Sequence, residues 1–203
     1  MAYSDRIAHA FAFAAKYAPG ARVRGGGGGM AELAQAANLA VILSRYECDE
    51  PTIVAGILHL VLRDTEGEER VALEQKVREK FGPVVLAILE DVLAPPTGDL
   101  NRERAWEACR REYLARLATA EPRALDICAA TEIHRCGSAL ADVRRLGAEY
   151  FSTDQAAGPR KTLWWFRALA EALNVHDDWP RREMLFELGQ LTRELETELA
   201  LGS

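Results

Sequence analysis

Ile57-Leu58-His59-Leu60-Val61-Leu62-Arg63-Asp64-Thr65 is the stretch on which the fold turns. It continues a segment that Asp49 is placed to cap and that Pro51 enters in its first turn, where a missing N–H costs nothing. Ile53, Val54, Ile57, Leu58, Val61 and Leu62 make this helix apolar on nearly every side, the pattern of a helix at the centre of a bundle. One histidine, His59, sits in its middle. Arg63 lies four residues on, hence on the same face, where a guanidinium repels a cation and attracts an anion.

Working outward, the apolar periodicity is helical almost throughout. Ser4 caps a helix to about Tyr17 that gathers Ile7, Ala10, Phe11 and Ala14 on one face. Pro19-Gly20 ends it, five glycines follow at Gly25 to Gly29, and a second helix runs from about Met30 to Tyr46. Past Thr65 a helix with Leu73, Val77 and Phe81 is broken by Gly82-Pro83 and resumes through Val92. A loop spans Ala94 to Leu100. Helices are then expected over Arg102 to Ala118, from Pro122 to about Leu146, and from Pro159 through the aromatic run Leu163 to Leu173. The last helix opens at Trp179-Pro180 and ends near Leu199. No strand-like alternation and no internal repeat appears. Short connections favour antiparallel neighbours, so the expected class is an all-α helical bundle.

The chain has 203 residues, enough for one sizeable core. Its 49% hydrophobic and 28% charged composition is that of a globular protein. A formal charge of -6 argues against nucleic acid as partner. No apolar run reaches membrane-spanning length, and no basic region precedes the apolar start, so neither a membrane nor a secretory signal is expected. Cys48, Cys109, Cys128 and Cys136 form no paired motif. They read as small buried hydrophobes of a reducing, cytoplasmic setting.

Five segments, in order, resemble the RelA/SpoT-type HD hydrolases, which remove pyrophosphate from ppGpp. They are Ala10-Phe11-Ala12-Phe13-Ala14-Ala15-Lys16-Tyr17, Asp49-Glu50 through His59 and Asp64-Thr65, Phe81-Gly82-Pro83-Val84-Val85, Ala129-Ala130-Thr131-Glu132-Ile133-His134, and Leu163-Trp164-Trp165-Phe166-Arg167-Ala168-Leu169. The resemblance implies an HD-domain-like helical bundle over residues 1–175. Residues 176–203 then form an amphipathic helix packed on that domain or on a partner, such as a second copy in a homodimer.

The family's chemistry uses a divalent metal held by two histidines and two aspartates, which polarises phosphate and activates water. Carried over position by position, these ligands fall on Gln35, His59, Leu60 and Thr131. The resemblance places the catalytic Glu-Asp pair on Arg63 and Asp64, and an arginine cannot act as a general base. The lysine of the later helix becomes Glu132, the asparagine after the histidine becomes Arg135, and the basic substrate loop is Arg22-Val23-Arg24.

Two functional readings stay open. In the first the chain is a non-catalytic binding or regulatory module without a metal cofactor. It would take a phosphorylated small molecule or nucleotide through Arg24, His59, Arg63, His134 and Arg135. In the second it is a metal-dependent phosphohydrolase or pyrophosphohydrolase with an altered site. That site would use His59, Asp64 and His134 with manganese or a similar ion. The glycine run lacks the Gly-Lys-Ser/Thr of a phosphate loop and reads as a loop, or as a lid beside Arg22 and Arg24. Trp164, Trp165 and Phe166 read as core or as a stacking platform. His134, Ser138 and Asp142 line one helix face, but with no oxyanion hole beside them.

Overall fold

The computed structural model describes residues 4–17, 32–63, 65–93, 102–152 and 158–201. Arg24, the glycine run and Asp64 lie outside the described residues. Among those described, all regular structure is helical, as expected. The helices are α1 (Asp5–Tyr17), α2 (Glu32–Arg45), α3 (Glu50–Leu62), α4 (Gly67–Val92), α5 (Arg102–Leu117), α6 (Pro122–Leu146), α7 (Pro159–Asn174) and α8 (Glu183–Leu201). A 3-10 turn, Gly147–Ser152, follows α6.

Local side-chain chemistry sets the helix starts. Ser4 Oγ accepts the Ile7 N–H at 3.3 Å. Asp49 Oδ1 accepts the Thr52 N–H at 3.1 Å and the Thr52 hydroxyl at 2.5 Å. Burial works to raise the Asp49 pKa, but the Thr52 bonds and the Arg123 guanidinium outweigh it and hold the carboxyl below its usual range. Arg123, in the first turn of α6, reaches the second carboxylate oxygen of Asp49 with two nitrogens, at 3.0 and 2.5 Å.

The chain divides into two units. The first holds α1 to α4 and the start of α6 through Cys128. At its centre lies α3, with every residue from Thr52 to Leu62 buried and α1, α2 and α4 packed around it. A Cβ on Gly56 would come within 2.6 Å of Leu43 Cδ1, so α2 lies close against α3 there. The expected break in α4 is a kink: Gly82 has φ 85 and ψ 168, a backbone only glycine adopts freely, with Pro83 next. Arg6 straddles this break, donating to the Phe81 carbonyl at 2.7 Å and to Glu50 at 3.1 Å. Ser4 donates to the other Glu50 oxygen at 2.5 Å.

The second unit holds α5, the rest of α6, the 3-10 turn, α7 and α8. Trp165, Leu169, Leu173, Trp179, Met184, Leu188 and Leu195 are buried in it. α8 packs along α7 and is tied to α6 as well. Arg144 bonds Glu194 at 3.1 Å and Glu198 at 2.8 Å, and the Cys136 thiol lies 3.9 Å from the Thr192 hydroxyl. His176 Nε2 lies 2.8 Å from the Leu117 carbonyl. No described helix is long and apolar enough to cross a membrane.

Candidate functional site

His59 emerges at the end of α3 with 7% of its surface exposed. Among the described residues its Nδ1 has no hydrogen-bond partner. An unpaired buried polar atom costs about 1–3 kcal/mol, so its persistence calls for a reason. Burial, then the charges of Arg63 and Arg70, push its pKa down to about 3 and keep the imidazole neutral. Leu60 is 4% exposed, an alkyl group in the core. Arg63 closes the helix, its N–H donating to the His59 carbonyl at 2.9 Å, and is itself exposed. Thr65 is buried and turns its hydroxyl to the Leu62 carbonyl at 3.0 Å. Gln35 is half-buried on α2.

Arg70 was not foreseen. The polar stretch Glu66-Gly67-Glu68-Glu69, which opens α4, gives no hint that α4 packs against α3. Glu74 accepts from Arg70 Nε at 2.7 Å, while the charge of Arg70 still acts on His59.

The other expected positions belong to the second unit. Thr131 and His134 are half-buried on α6, and burial followed by the nearby Arg135 lowers the His134 pKa. Arg135 is paired within its own helix. It donates to Glu132 at 2.9 Å with 43% of its side chain exposed, and the Glu132 side chain is only 6% exposed. Trp165 Nε1 donates to the other Glu132 oxygen at 2.8 Å. A buried carboxylate with two donors is satisfied internally. The i,i+3 spacing of Glu132 and Arg135 was visible in the sequence; nothing local pointed to Trp165 as the second donor.

The aromatic cluster faces cations. Arg110 stacks 4.2 Å from the Trp165 ring centre and 5.7 Å from that of Trp106. Arg111 lies over Trp164 at 5.4 Å and Lys161 over Trp106 at 5.9 Å. Trp165 and Phe166 are buried, so these two rings are core. Each of the three indoles holds a cation of the chain itself at cation–π distance. Asp142 bonds Arg145 at 2.9 Å. No disulfide links the four cysteines, and burial pushes Cys136 up to about 12, where it is unreactive. Among the described residues, no three His, Cys, Asp or Glu side chains are gathered as a metal ion would require.

Residues 10–139 match the HD domain family, so the chain belongs to it. Its fold is similar to two solved structures. One is described as "a metazoan ortholog of SpoT" that "hydrolyzes ppGpp and plays a role in starvation responses". It is 18% identical with TM-score 0.69, the match covering 96% of this chain and 97% of that one. The other is lmo0812 from Listeria monocytogenes EGD-e, 18% identical with TM-score 0.62, the match covering 82% of this chain and 99% of that one. No match is found among curated proteins. This is an HD-domain protein with a SpoT-like helical fold.

Proposed function

We propose that the chain is a binding or regulatory HD module of the cytoplasm that takes a phosphorylated small molecule or nucleotide without metal catalysis. The observation that carries this reading is the charge around His59. The imidazole is buried and neutral, and two guanidinium groups act on it. A divalent cation there would meet repulsion where the family's chemistry needs carboxylates. The residues at the family's other ligand positions fit no better. Gln35 offers an amide, Leu60 an alkyl group and Thr131 a hydroxyl, none of which replaces imidazole or carboxylate for such an ion. Asp64 is the one acid left at the catalytic positions, and a lone carboxylate next to Arg63 in the chain neither holds a metal nor generates hydroxide.

Likeness to a ppGpp-hydrolysing protein favours the competing reading, a phosphohydrolase with an altered metal site. The two readings part in one assay. The purified chain, given ppGpp and manganese, is expected to release no pyrophosphate above the buffer rate. In chelator, guanosine nucleotides at millimolar concentration are expected to raise its melting temperature. Turnover that needs manganese and disappears in His59→Ala would overturn the proposal. Melting curves unmoved by every nucleotide would remove nucleotides as the ligand class. Neither nucleic acid nor a membrane is proposed as partner. A homodimer through α8 is proposed, and light scattering at micromolar concentration checks it.

A further inference from the structure

We propose that the face of α7 carrying Arg160, Leu163, Trp164, Arg167, Ala168 and Glu171 docks on the same face of a second copy, the two α7 helices running antiparallel about a twofold axis. The inference rests on the homodimer proposed above and names its contact surface, to which α8 adds Glu196. Together these residues line an open cleft of about 390 Å³. The six from α7 fall at the three- and four-residue spacing that keeps side chains on one side of a helix. Leu163, Trp164 and Ala168 are half-buried and form an apolar floor, while Arg160, Arg167 and Glu171 are exposed along its rim.

Charge selects the occupant. Arg167 is paired with Glu196 across the cleft. Arg160 and Glu171 make no hydrogen bond or ion pair among the described residues. They stand about three turns apart, a cation at one end of the floor and an anion at the other. Reversed end for end, this pattern is its own complement. In an antiparallel pair Arg160 faces the partner's Glu171, Leu163 faces the partner's Ala168, and Trp164 faces the partner's Arg167. The same three contacts recur on the other side of the axis, as a twofold interface requires. The small Ala168 leaves room for a leucine. The partner's Arg167 gives Trp164 a second guanidinium beside that of Arg111, which lies over its ring at 5.4 Å. Exposed ion pairs contribute little affinity each, so their part here is to fix orientation and register.

The test is sedimentation velocity of the full chain over a concentration series, with a charge-swap cycle at the two ends of the face. The wild type is expected to dimerise. Arg160→Glu and Glu171→Arg each set like charges opposite one another and are expected to weaken the dimer about ten-fold. The double variant R160E/E171R restores opposite charges and is expected to recover wild-type association. Both positions are exposed, so the variants keep the fold, which circular dichroism confirms. Equal association of wild type and both single variants would overturn the inference by putting the contact elsewhere, while leaving the homodimer intact. Single variants weakened without recovery in the double would overturn the antiparallel pairing. A wild type that stays monomeric at every concentration would overturn both the inference and the homodimer.

Discussion

At the scale of single residues, the neutrality of His59 has a pH signature. Its folded pKa of about 3 lies below the ordinary 6.5. Between these values the unfolded chain binds a proton that the native chain refuses. Its contribution to stability is therefore whole above 6.5 and is lost as pH falls toward the folded value. Each pH unit in that window is worth about 1.4 kcal/mol. Urea unfolding of wild type and His59→Gln should thus show the wild type losing about 2 kcal/mol more than the variant between about pH 6 and about pH 4.5. Parallel pH profiles would contradict the assigned environment. Trp165 poses a second residue-scale question. Trp165→Phe keeps an aromatic ring but takes one donor from the buried Glu132 carboxylate. A loss of about 2 kcal/mol is expected from urea midpoints, the magnitude of a hydrogen bond to a charged group. A loss below about 0.5 kcal/mol would mean that the bond carries no stability.

At the scale of elements, the break in α4 is the sharpest case. Gly82 has positive φ, and nothing lies within 4 Å of a Cβ placed there. The cost of Gly82→Ala is accordingly one of backbone conformation alone, about 1 kcal/mol or somewhat more. Thermal unfolding should show the loss, and a neutral result would mean that the kink relaxes. The same example explains what could be read in advance. Ser4, Asp49, Pro122, Pro159 and Gly82-Pro83 act on backbone a few residues away, so the sequence exposes them. The 3-10 turn after α6 went unseen because Gly147 marks the end of a helix without specifying the backbone beyond it. The charge of Arg70 on His59 and the bond from Trp165 to Glu132 went unseen because groups 11 and 33 residues apart come into range only through the tertiary fold.

At the scale of the whole molecule, the fold is similar to that of two solved structures even at 18% identity. A fold specified by apolar periodicity and caps tolerates wide change in the residues that carry chemistry. The central claim, that this HD scaffold works without a metal, is met most directly by elemental analysis of the chain after incubation with manganese and desalting. The account predicts manganese far below stoichiometric. One equivalent retained by the wild type and lost in His59→Ala would contradict it.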